Sequence, residues 1–183
     1  MAEPLTNLEI YPLTPERWHD FEVLFGPHGA YSGCWCMWWR LPRKEFSAKQ
    51  GEGNRLGLKA LVDGGSPTGL LAYLDGVPSG WIAVAPREDF ASLERSTVLK
   101  RIDAQPVWSI VCFYIGRKAR SRGLMSALIQ AAVDFAAAHG ATMVEAYPMI
   151  TGENAAPVST FMGNLDAFLK AGFIEVARPK PKR

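Results

Sequence analysis

Residues 107–140 read VWSIVCFYIGRKARSRGLMSALIQAAVDFAAAHG, and this stretch decides the fold. Val107 to Ile115 is a run of apolar, β-branched and aromatic residues interrupted only by Ser109, the pattern of a strand covered on both faces. From Ser121 the period changes. Leu124, Leu128, Ala131 or Ala132 and Phe135 recur at helical steps and His139-Gly140 supply a stop, which predicts a helix of about five turns.

Between strand and helix stand Arg117, Lys118, Arg120 and Arg122. The positive end of a helix dipole favours acidic residues, so cations there need a reason. A bound anion supplies one, because free amides and cations then converge on the same negative group. Gly123 fits that reading, since a missing Cβ lets a phosphate approach the backbone closely. A solvated basic turn on an ordinary helix is the alternative. Neither GxxxxGK[ST] nor GxGxxG occurs.

In this strand-turn-helix setting the chain resembles the acetyl-CoA-dependent N-acetyltransferase (GNAT) superfamily, whose signature is Arg/Gln-x-x-Gly-x-Gly/Ala. Arg120-Ser121-Arg122-Gly123-Leu124-Met125 matches it except at the last position, where Met125 replaces a small residue. The resemblance implies an α/β fold of the α+β kind, a mixed and mostly antiparallel sheet flanked by helices. Strands 107–115 and 142–149 would splay so that the pantetheine arm of acetyl-CoA enters between them. Backbone amides of Arg120, Ser121, Arg122, Gly123, Leu124 and Met125 would hold the pyrophosphate, with Arg117, Lys118 and Arg122 as charge partners. Main-chain groups of Phe113 and Ile115 would bond the pantetheine. Acetyl-CoA is then the cosubstrate, with no metal, and the acetyl group passes by direct attack to a primary amine of a small molecule or peptide.

Composition sets the bounds. A chain of 183 residues, 48% apolar, fits one domain, read as 1–183 with a basic tail at 178–183. Net charge is only +2, so no broad field points to nucleic acid. No apolar run is long enough to span a membrane and the N-terminus lacks the order of a signal peptide, so the expected location is cytoplasmic, with no membrane partner. Cys34, Cys36 and Cys112 suit reduced thiols rather than a disulfide framework. Cys34-x-Cys36 lacks the second ligand pair of a zinc site.

The rest of the chain supports the central unit. Leu8 to Leu13 reads as a strand, and Thr14-Pro15-Glu16 opens a helix to about Phe25. Lys44 to Val62 is helical with an interruption near Gly51 and Gly53. Gly69 to Leu74 and Ser79 to Ala85 form a hairpin across Asp75-Gly76. A short helix is expected at Ser92 to Arg101, a strand at Thr142 to Met149, a loop at 152–157, a helix at Leu165 to Ala171 and a last strand at Phe173 to Ala177. Trp35, Trp38 and Trp39 either line an acceptor pocket or fill the core edge. The resemblance favours the pocket, because the superfamily builds its acceptor site between its first two helices.

Phe168-Leu169-Lys170-Ala171-Gly172-Phe173 resembles the superfamily's Tyr-x-x-x-Gly-Phe element, with Phe168 where the usual tyrosine would stand. For the base, Glu145 is chosen as an acid in an otherwise apolar strand. Tyr147, on the same strand face, replaces the missing acid, with Tyr114 and Ser159 behind it. A salt-bridged Glu145 with no catalytic part is the alternative. Two further functions stay open: a CoA-binding sensor without turnover, and a module touching nucleic acid through its basic turn. The superfamily also allows a homodimer.

Overall fold

The computed structural model describes residues 5–150 and 161–181. Strand β1 is Leu8–Pro12, and a single 3-10 turn at Pro15–Arg17 leads into α1, Trp18–Phe25. Two helices follow, α2 at Arg43–Ala48 and α3 at Glu52–Asp63, divided at Gly51. The hairpin is β2, Leu70–Leu74, and β3, Val77–Pro86. After α4, Ala91–Glu94, come β4, Trp108–Ile115, α5, Leu124–Ala138, β5, Val144–Ala146, and α6, Leu165–Lys170.

The sheet has the order β1-β2-β3-β4-β5, antiparallel except for the parallel β4–β5 pair. This is the mixed, mostly antiparallel sheet with flanking helices that the family resemblance implies. One face packs on α5 and α6 through Leu124, Leu128, Ala132 and Phe168. The other packs on α1, the 35–37 turn and α3 through Phe21, Trp35, Met37 and Leu58. Both faces of β3 and β4 are therefore covered, which explains their unbroken apolar character. Among the described residues, no helix is long and apolar enough to cross a membrane.

Two irregularities position the site. β4 pairs with β5 only over Trp108–Ile110 and Val144–Ala146. Beyond that point the strands part, and the Phe113 amide donates to the Phe161 carbonyl at 2.6 Å. The β3–β4 register also shifts, Ala83 facing Cys112 while Val84 faces Ile110, so that Val111 is an extra residue on β4. A bulge reverses the alternation of faces beyond it. Val111, Cys112 and Tyr114 consequently pack toward α1, while Phe113 and Ile115 pack toward α5.

Three elements differ from expectation. The Ser92–Arg101 helix shrinks to α4, because Ser96 Oγ accepts from the amides of Val98 and Leu99 and turns the chain. The 142–149 strand shortens to β5, since Met149 N–H turns away to the Gly163 carbonyl. Phe173 to Ala177 is not a strand. Ile174 and Val176 are 81% and 68% exposed, and Glu175 pairs locally with Arg178. The loop at 152–157 and Ser159 lie outside the described residues.

Candidate active site

A cavity of about 1120 Å³ opens beside the free end of β4. Its first wall is Ile115, Arg120, Ser121 and the start of α5 from Gly123 to Ser126. The helix begins with no side-chain cap and no acidic residue in its first turn. Gly123 precedes it at φ 87°, a left-handed conformation that glycine adopts without a steric penalty. Arg120 Nε donates to the Ile115 carbonyl at 3.1 Å, tying the basic turn to the strand end. Of the residues expected to hold the cofactor, Phe113, Ile115, Arg120, Ser121, Gly123, Leu124 and Met125 line the cavity. Arg117 and Lys118 sit exposed on the 3-10 turn before it, and Arg122 is half-buried between them and the helix.

The opposite wall is aromatic: Tyr31, Trp38, Trp39 and Phe46. Arg43 stacks over Trp38 with its guanidinium 3.7 Å from the ring centroid. Trp35 does not line the cavity; it lies beneath, buried, with its ring stacked on Phe25 at 5.8 Å. Gly29 permits this, because a Cβ there would fall 2.3 Å from Trp35 Nε1.

Glu145 and Tyr147 come together but away from the cavity lining. Fully buried Arg87 donates through Nη1 to Glu145 Oε1 at 2.6 Å and to Tyr147 Oη at 2.5 Å. Ser109 Oγ donates to Glu145 at 3.0 Å, and Tyr147 Oη donates to the same carboxylate. Arg87 also binds Glu94 at 2.8 Å and the Leu99 carbonyl at 2.7 Å. Burial, and then the charge of Glu145, push the Tyr147 phenol far above its usual range, so it keeps its proton. Phe168 is buried between Phe113 and Phe173 and does not line the cavity either.

The sequence names no cysteine as a site residue, yet Cys34, Cys36 and Cys112 all line the cavity. Cys36 Sγ accepts from Trp81 Nε1 at 3.1 Å, and the Cys112 thiol faces the Phe113 carbonyl at 3.8 Å. The neighbouring Cys112 thiol, helped by the Trp81 indole and the Arg40 charge, outweighs burial and holds the Cys36 thiol below its ordinary range. The neighbouring Cys36, and then desolvation, push Cys112 well up, and burial beside Cys36 raises Cys34 to about 11. Cys112 reaches this face through the bulge, which no local pattern in the sequence announces.

A model of the acetyltransferase (GNAT) family matches residues 28–158. No curated protein matches the chain. Among solved structures, an aminoglycoside N-acetyltransferase, AAC(6')-Iy in complex with CoA, aligns at TM-score 0.58 and 16% identity, over 97% of this chain and 95% of that one. A GCN5-related N-acetyltransferase from Ralstonia eutropha JMP134 aligns at TM-score 0.54 and 16% identity, over 96% and 98%. AAC(6')-Ih from Acinetobacter baumannii, an aminoglycoside 6'-N-acetyltransferase, aligns at TM-score 0.52 and 16% identity, over 94% of each chain. At these identities the likeness is one of fold.

Proposed function

The chain belongs to the acetyltransferase (GNAT) family, and from that premise we propose that residues 1–183 form one domain that moves the acetyl group of acetyl-CoA to the primary amine of a small molecule or peptide. The observation that carries this reading is one continuous cavity, running from the basic helix start, past the free end of β4, to the aromatic wall. A long donor and a separate acceptor both fit such a space.

The residues present suit the donor. An uncapped helix start, a left-handed glycine and Arg120 face the cavity together, the arrangement that favours a pyrophosphate. Arg117, Lys118 and Arg122 add positive charge around the turn. The Phe113 amide and Ile115 carbonyl, at the end of β4, are the main-chain groups in reach of the pantetheine. In the free protein they are met by Phe161 and Arg120, so the donor arm displaces or shares those bonds. Glu145 and Tyr147, locked on Arg87, act in this reading as positioning residues that fix where β4 and β5 part.

The acceptor wall favours a flat or apolar amine. Trp38 and Trp39 offer ring faces to an apolar body or to an ammonium group, and Tyr31 and Phe46 extend the surface. Among the described residues, Asp166 is the sole carboxylate in the lining, and it lies on α6 with Lys170, at the Met125 end. A polycation such as an aminoglycoside would meet no carboxylate on the aromatic wall.

Two measurements test the reading. CoA at about 100 times its Kd is expected to raise unfolding stability by about 2.7 kcal/mol, and no shift at millimolar CoA would refute it. Thiol release from acetyl-CoA across an amine panel is expected to be fastest with arylalkyl amines. A faster aminoglycoside would defeat the acceptor assignment, and a flat panel would favour a CoA-binding protein without turnover.

A further inference from the structure

We propose that residues 161–164 are a built-in plug: in the free protein they fill the fork between β4 and β5 that the pantetheine arm has to enter, and CoA binds by displacing them. The proposal rests on the acetyltransferase reading above and adds a closed state to it.

The chain itself bridges the fork. β4 and β5 pair only as far as Ile110 and Ala146. Strands that part leave backbone groups unpaired on their facing edges, and such groups need partners when buried. Residues 161–164 supply partners on both sides. The Phe113 amide donates to the Phe161 carbonyl at 2.6 Å, and two residues further on the Gly163 carbonyl accepts from the Met149 amide at 3.2 Å. Met149 and Asn164 form a parallel bridge. The segment is a short strand-like wedge in the opening, and Phe161 and Asn164 line the cavity.

The wedge fits closely but is lightly held. Met162 has no exposed surface and packs in the same cluster as Trp35 and Cys36. Gly163 stands at φ 84°, and a Cβ there would fall 2.6 Å from the Phe168 ring and 3.0 Å from the Phe113 ring, so glycine is what lets the chain pass. Asn164 marks the fixed end, because its Oδ1 accepts from the Ala167 amide at 2.8 Å and caps α6. Seating of 161–163 therefore rests chiefly on one backbone bond to each strand and on the burial of Met162. A segment held in this way opens locally at lower cost than the whole fold.

Plug and donor compete for one hydrogen. The Phe113 amide is one of the two main-chain groups in reach of the pantetheine, and a single N–H makes one strong bond. While Phe161 holds it, the arm has no place there. Binding then has two parts: the nucleotide head settles at the Arg120 turn, outside the fork, and the arm takes the place of 161–163. Only molecules with an open fork accept the arm, so the apparent affinity for CoA is reduced by the open fraction.

The test measures calorimetric Kd values on the full chain with two probes, CoA and 3′-phospho-ADP, the CoA nucleotide without its pantetheine arm. Met162 does not line the cavity, so Met162→Ala loosens the plug without removing a wall residue. The variant is expected to be less stable than wild type and yet to bind CoA about fivefold more tightly, through its larger open fraction. Its Kd for 3′-phospho-ADP should not change. A purely structural role for Met162 predicts CoA binding that is equal or weaker. That result, or equal tightening of both probes, overturns the plug and leaves the acetyltransferase reading standing. CoA binding to neither protein overturns both. If Met162→Ala does not fold, rapid mixing with the wild type decides. The rate of CoA binding is expected to level off with concentration at the opening rate, while that of 3′-phospho-ADP rises linearly; linear rises for both overturn the plug.

Discussion

Arg87 reaches across β4 to Glu145: its Nη1 donates to Glu145 Oε1 at 2.6 Å from a side chain with no exposed surface. The pair ties the end of β3 to β5 with Ser109 of β4 beneath it. Replacing Arg87 would leave Glu145 and Glu94 without their buried cation. Arg87→Met is expected to lower unfolding stability by about 3–5 kcal/mol, the usual range for breaking a buried ion pair. A urea midpoint close to wild type would show that the network contributes little.

The same contact separates a positioning role from a catalytic one. Glu145→Gln and Tyr147→Phe are expected to lower stability yet leave the shape of the pH–rate profile unchanged. Removal of a general base or acid typically costs about 10²–10⁴-fold in rate. A drop of that size in a folded variant, with one limb of the profile lost, would make Glu145 the base.

At the other end of the site, Arg120 lines the cavity and anchors the basic turn to the Ile115 carbonyl. Arg120→Glu is expected to weaken CoA binding with little change in the stability of the free protein. Calorimetric titration with CoA checks this, and an unchanged Kd would remove the turn from the phosphate site.

Trp38 lines the cavity and carries the Arg43 guanidinium 3.7 Å over its ring. Trp38→Ala is expected to raise KM for an arylalkyl amine by about tenfold, equivalent to about 1.4 kcal/mol, with KM for acetyl-CoA unchanged. Equal rises in both constants would point to a general collapse of the cavity.

Acid sensitivity follows from the Arg101 cluster. Arg101 pairs with Glu88 at 2.7 Å and Glu94 at 3.0 Å. The Arg101 hydrogen bond holds Glu88 below its ordinary range. At Glu94 burial pushes upward, but Arg87 and Arg101 outweigh it and the carboxyl is lowered. Groups depressed in the folded state contribute stability that is complete above their unfolded pKa and lost as pH falls through the folded one. Both carboxylates are largely solvent-facing, so the effect is modest and screened by salt. Thermal midpoints measured downward from about pH 5 should fall less steeply in Arg101→Ala than in wild type; parallel curves would assign the acid loss to other groups.

The amino-acid sequence by itself determined the strand, basic turn and helix at 107–140, the hairpin, the divided helix before it and the family. Those features are local: apolar periodicity, glycine breaks and a turn signature act over a few residues. Tertiary structure decided which side chains share a space. The bulge at Val111 sends Cys112 to the face of Cys36, 76 residues away along the chain, and no residue type at 111 announces it. Trp35, Trp38 and Trp39 look alike in sequence, yet left-handed turns bury the first and expose the others to the cavity. Glu145 reads as a lone acid in an apolar strand until Arg87, 58 residues earlier, closes on it. The physical reason is common to all three. Burial, charge pairing and face are properties of neighbours in space, and these are fixed only when distant segments pack.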